Sequence, residues 1–138
     1  MAGAGRQPYE SEHTVAPPEN ASAAVIDVRV ATTEHMVVLR VSGELDMLTA
    51  PILTEHVQAQ LTRDTADGPR TVVFDLTEVS FLGSAGLAVL AHAHTAASDR
   101  GDAVQIVATA RAVLRPLEVT GLNKVLDIRS DVPAHDSD

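Results

Sequence analysis

The run Phe81-Leu82-Gly83-Ser84-Ala85-Gly86-Leu87 places one hydroxyl among small residues, where an apolar strand-like stretch gives way to a helical one. Ser84 opens a helix in which Leu87, Leu90, Ala91 and His94 recur at the i, i+3, i+4, i+7 spacing of one face. Its hydroxyl would then stand beside backbone N–H groups with no intrahelical acceptor, at the positive end of the helix dipole. Such a place can hold a phosphate. Gly83 and Gly86 keep the backbone there approachable. The plainer reading is an N-cap, the commonest role of a serine in front of an apolar helix. Ser80, near the end of the preceding strand, is a second hydroxyl, and a strand-end hydroxyl is more often structural.

Other chemistries fit less well. Gly83-Ser84-Ala85-Gly86 approaches the nucleophile elbow G-x-S-x-G, but Leu82 stands where the first glycine should be. No Asp–His pair can be assigned in the required order, since the histidine that follows the later aspartates, His135, lies in the expected carboxyl-terminal tail. No catalytic residue is therefore assigned. His92 and His94 are two apart, on different faces of a helix. His13, His35 and His56 are scattered, so neither a metal site nor a cofactor is expected.

Composition narrows the classes further. The 138 residues include 10 Lys and Arg against 19 Asp and Glu, a formal charge of −9, with no basic cluster to release counterions from nucleic acid. An anionic membrane surface would repel the chain, and no apolar run is long enough to span a bilayer. There is no cysteine, which excludes disulfides and thiolate chemistry and fits a cytoplasmic setting. Hydrophobic residues make up 45%, so a core is within reach, but two Phe and one Tyr leave it to Val, Leu, Ile and Ala.

These residues need elements to position them. Residues 1–22 are rich in Gly, Ala, Pro, Ser and Glu and are expected to be a disordered tail, with a second tail over 131–138. The folded unit is 23–130. Val25–Val30 and Met36–Val41 alternate as strands around the polar Thr32-Thr33-Glu34-His35, which predicts a hairpin, with Gly43 ending the second strand. Thr49 is placed to cap a helix with Pro51 in its first turn and Leu53, Val57 and Leu61 on its stripe. The segment Asp64–Pro69 stops that helix.

Thr71–Leu76 reads as a buried central strand, followed by a short turn before Ser84. Gly101 closes the Ser84 helix, and Val104–Val107 forms a fourth strand. A third helix carries Val113, Leu114, Leu117 and Leu122. It is expected to begin near Val113, so that Pro116 falls in its first turn, with Gly121 just past its end. Ile128 sits in a possible last short strand. The order predicts an α/β fold: a mixed, mostly parallel sheet of four to five strands with an N-terminal hairpin and helices packed on it.

Phe81–Leu87 resembles the signature of STAS-domain anti-sigma factor antagonists, in which a strand leads to a turn bearing a phosphorylatable serine. Val41-Ser42-Gly43-Glu44-Leu45-Asp46 with Thr49-Ala50-Pro51, and Val113–Val125 with Thr120-Gly121-Leu122, are similar to that family's upstream loop and last helix. The likeness spans about Val25 to Arg129. It implies that the unmodified chain binds an anti-sigma factor, commonly a serine kinase, and frees the sigma factor. Phosphorylation of Ser84 would switch binding off, and a serine phosphatase would reset it. The contact surface it implies holds Asp46, Thr49, Gly83, Ser84 and Gly86. From turn chemistry alone, Asp46 reads equally as a local turn capper. Gly83 stands where the family often has Asp, which bears on phosphorylation more than on fold. The second reading is a STAS adaptor that is not phosphorylated, or a small subunit of a larger complex such as a lipid transporter.

Overall fold

In the computed structural model, which describes residues 25–62 and 68–133, the chain builds one five-stranded sheet in the order β1-β2-β3-β4-β5. β1 (Ile26–Thr32) and β2 (Met36–Leu45) form the expected antiparallel hairpin, closed by the Thr33 N–H donating to the Met36 carbonyl at 2.7 Å. β3 (Thr71–Leu82), β4 (Ala103–Val107) and β5 (Asp127–Arg129) each run parallel to the strand before. Helices α1 (Ala50–Leu61), α2 (Ser84–Asp99) and α3 (Arg111–Thr120) make the connections, with a 3-10 turn at Leu122–Lys124.

The core follows from strand alternation. Val37, Leu39, Val41, Val72, Phe74, Leu76, Val104 and Ile106 face the helices and bury against Leu53, Val57, Leu90, Ala93, Val113 and Leu117. A small second cluster, Met36, Val38, Val73 and Val107, lies apart from it, with Val132 against it. The expected tail over 1–22 lies outside the described residues. So do 134–138 of the carboxyl-terminal one, whereas Val132 is packed. Residues 63–67, which take in the first four residues of the stretch expected to stop α1, also lie outside them.

Four local expectations are corrected. β2 does not end at Gly43 but runs through it to Leu45, because Gly43 takes φ +113° at an irregularity that leaves the pairing intact beyond it. β3 likewise continues to Leu82 with no turn after Leu76. It absorbs one extra residue between Asp75 and Glu78 and another between Val79 and Phe81, relative to β2. α3 begins at Arg111, so Pro116 is interior and the Ala112 carbonyl receives no helical bond from it. Burial of Val113 and Leu117 on one stripe holds the helix across that break. The buried stripe of α2 is Gly86, Leu87, Val89, Leu90, Ala93 and Ala97, leaving Ala91 and His94 half-buried at its margin. Gly121 ends α3 with φ +79°, the left-handed conformation expected of it.

One buried carboxylate fastens the middle of the sheet. Asp75, with its side chain 6% exposed, accepts from the Thr77 hydroxyl (2.7 Å), the Thr77 N–H (3.1 Å) and Arg40 Nε (3.1 Å). Burial pushes its proton affinity up, but the Thr77 bonds and then the Arg40 charge outweigh that, holding the carboxyl below its ordinary value. The folded state therefore binds this proton more weakly than the unfolded chain does. The resulting stability is complete at neutral pH, declines as pH falls below the ordinary value near 3.8, and vanishes below the lowered folded-state value. Asp75→Asn should cost about 1–2 kcal/mol at pH 7. Its urea midpoint should fall less steeply than wild type through that acid window.

Candidate functional site

β2 and β3 end side by side, Glu44 beside Phe81 and Leu45 beside Leu82. The Gly83 N–H then donates to the Leu45 carbonyl at 2.8 Å, and the next residue is already helical. Gly83, not Ser84, occupies the N-cap position, with extended backbone (φ −91°, ψ −177°). Ser84 is thus the first residue of α2. Its side chain is exposed and, among the described residues, takes no part in a hydrogen bond. The first intrahelical bond runs from the Leu87 N–H to the Gly83 carbonyl at 3.0 Å, so the amides of Ser84, Ala85 and Gly86 have no helical acceptor. A hydroxyl free to rotate beside open donors at a dipole's positive end is chemically suited to carry an anion.

Gly86 has a different task. It is buried, and a Cβ there would lie 2.7 Å from Leu82 Cδ1 and 3.0 Å from Leu45 Cβ. Only hydrogen fits without displacement, so Gly86 seats the start of α2 on the two strand ends. Gly83 is half-buried beneath Phe81, whose Cε2 would be 3.0 Å from an added Cβ.

The loop after β2 is held from within. Thr49 is fully buried at the N-cap position of α1, yet its hydroxyl makes no cap bond, which corrects the capping role expected of it. It donates instead to the Glu44 carbonyl at 2.6 Å and accepts from the Asp46 N–H at 3.0 Å. Asp46 Oδ1 accepts from the N–H groups of Leu48 (2.9 Å) and Thr49 (3.1 Å). This side chain is therefore a turn organiser, the local role open to it from turn chemistry. Together they force residues 47 and 48 outward.

Those two residues are Met47, 78% exposed, and Leu48, 66% exposed. With Phe81, 49% exposed, they put three large apolar side chains at the end of the sheet where Ser84 stands. Isolated exposed hydrophobics are ordinary; three at one end of the sheet make this corner a candidate interaction surface. Glu44, paired with Phe81, is exposed there, and Glu78, paired with Ser42, is exposed further back along β3. Met47, Leu48 and Phe81 were missed from sequence, although two large apolar residues inside a short polar loop are a readable sign. Ser80 is exposed, with its hydroxyl 3.4 Å from the Gly43 carbonyl. Among the described residues no three His, Asp or Glu side chains gather in a way that could hold a metal ion, and no helix is long and apolar enough to cross a membrane.

The family model described as the STAS domain matches residues 27–135. The chain is 36% identical over 115 residues to the anti-sigma-F factor antagonist RsfB of Mycobacterium tuberculosis, covering 81% of this chain and 86% of that protein. It is 28% identical over 105 residues to the anti-sigma-B factor antagonist of Listeria monocytogenes, covering 76% and 88%. Among solved structures, an anti-sigma factor antagonist from Mycobacterium paratuberculosis superimposes with a TM-score of 0.68 at 35% identity, over 83% of this chain and 91% of that one.

Two substitutions test how the corner is built. Gly86→Ala should cost about 1–3 kcal/mol through overpacking against Leu45 and Leu82. Thr49→Val leaves the Glu44 carbonyl and Asp46 N–H without their partner, a loss of roughly 1–3 kcal/mol. Hydrogen exchange should show faster amide exchange at Leu48 and Thr49 in the second variant, with α3 unaffected.

Proposed function

The chain belongs to the STAS domain family, and from that premise we propose that it is an anti-sigma factor antagonist switched by phosphorylation of Ser84. The unmodified form binds an anti-sigma factor through the corner formed by Met47, Leu48, Phe81 and Ser84, and so frees the sigma factor. The observation that carries this reading is an exposed hydroxyl, without a hydrogen bond among the described residues, set at a helix start beside three exposed apolar side chains. Its likeness to anti-sigma factor antagonists supports an antagonist over a constitutive adaptor or transporter subunit.

The physics of the switch is differential. Phosphate adds about −1.5 to −2 charge and three strong acceptor oxygens. In the free protein the open amides of Ser84, Ala85 and Gly86 and the helix dipole accommodate it, so the fold is not strained. Under a partner packed on Met47, Leu48 and Phe81 the same group loses its water and has to fit into an apolar contact. Burying an uncompensated charge costs several kcal/mol, enough to end a complex.

Asp46, Thr49, Gly83 and Gly86 serve this surface indirectly. Asp46 and Thr49 fix the loop that presents Met47 and Leu48. Gly86 seats the helix, and Gly83 leaves room for the Phe81 ring. The modifying enzyme is the anti-sigma factor itself, acting as a serine kinase, and a serine phosphatase resets the cycle. The setting is the cytoplasm, where sigma factors act. The protein works by binding and not by catalysis.

Affinity capture from the native host with wild type, Ser84→Ala and Ser84→Glu tests the reading. The first two should recover an anti-sigma factor, and Ser84→Glu should bind it at least ~100-fold more weakly, equivalent to about 3 kcal/mol. Incubation of that factor with ATP should add the mass of one phosphate to wild type and none to Ser84→Ala. Equal capture by all three proteins would exclude the switch.

A further inference from the structure

β1 is an edge strand: one side pairs with β2, and among the described residues no strand pairs with the other. Its helix-side face carries Ile26 and Val28, both buried, and then Val30, which is 42% exposed in line with them. The opposite face carries Asp27 and Arg29, joined at 2.9 Å between Nε and Oδ2. Arg29 also stands directly across from Arg40 of β2, a like-charge pairing that is unfavourable by itself. Charges on an edge strand usually deter pairing with another chain. Opposite charges two residues apart on one face have the reverse effect toward a second copy of the same strand.

We propose that two copies of this chain pair antiparallel along β1, about a two-fold axis through Val28. In that register Asp27 lies opposite Arg29 of the second copy, and Arg29 opposite Asp27 of the second copy. Val28 lies opposite its own counterpart, and the exposed Val30 opposite Ile26 of the other chain. The second carboxylate also offsets the Arg29–Arg40 repulsion. A slip of two residues in one direction sets Arg29 against Arg29, and in the other sets Asp27 against Asp27, so the charges select a single register. The contact is isologous and closed, which yields a dimer and not a filament. Seven residues per strand bury less than the roughly 1,600 Å² of a standard interface, so the association is weak. It covers neither Phe81 nor Ser84, and is independent of the proposed switch.

Sedimentation equilibrium of the full chain, from about 10 μM to 1 mM, reads the association directly. Wild type should approach twice the chain mass over that range. Asp27→Arg and Arg29→Asp, both at exposed or half-exposed positions, should each associate at least ~10-fold more weakly, since each sets like charges face to face. An equimolar mixture of the two variants should regain the dimer, because each then meets its complement. Matching circular dichroism melts keep loss of fold apart from loss of pairing. A monomeric wild type throughout the range, single variants that pair as wild type does, or a mixture that stays monomeric would each overturn the proposal.

Discussion

The bond from the Gly83 N–H to the Leu45 carbonyl joins the ends of two parallel strands at the residue before a helix starts. Most of the corner depends on it. With Gly83 pinned to β2, α2 begins at Ser84, and its first turn crosses Leu45 and Leu82 so closely that a Cβ at position 86 fits only if its neighbours shift. On the other side Leu45 leads directly into Asp46, whose N–H meets the buried Thr49 hydroxyl. One strand end thus organises both the exposed loop and the exposed serine. Their separation is set by backbone pairing and not by the conformations of flexible side chains.

The buried polar groups serve the same rigidity. Thr49, Asp75 and Asp102 are the polar residues buried as a whole among the described residues, with Gln105 Oε1 also shut from water. Asp102 accepts from the Arg70 N–H at 3.0 Å and from Arg100 Nε at 3.2 Å, tying the entry of β3 to the turn before β4. Each carboxylate is met by donors from more than one residue, the condition under which a buried charge can stay charged. Asp102 and Asp75 fix the lower and middle parts of the strands, and Thr49 the upper end.

The order of elements was legible in the sequence because period-two and period-3.6 runs alternate cleanly, with Gly101 and Gly121 marking helix ends. The hairpin, the parallel remainder and the short strand at Ile128 all follow from that pattern. What misled was local chemistry that tertiary contacts override. Gly43 looks like a terminator, yet parallel pairing with β3 carries the chain through it. Pro116 looks like a first-turn residue, yet burial of Val113 and Leu117 sustains a helix around it. Thr49 was expected to cap its own helix, but its hydroxyl turns back to the preceding loop, accepting from the Asp46 N–H at 3.0 Å while donating to the Glu44 carbonyl at 2.6 Å. Ser84 stands out in the sequence through its small-residue setting. The exposure of Met47, Leu48 and Phe81 was not legible, because it depends on which way a locked turn and an irregular strand point them.

The passage from β3 to α2 spans a single residue, and that has a consequence for timing. The junction is held by the Gly83–Leu45 bond and the contacts at Gly86, and Ser84 points to solvent, so under the proposed switch a group added there need not reshape the domain. Information placed there is legible only to a molecule that touches the spot. Relaxation of the domain then adds no delay. Under the proposed switch, the tempo of a response would follow how fast the mark is written and erased and how fast a bound partner departs.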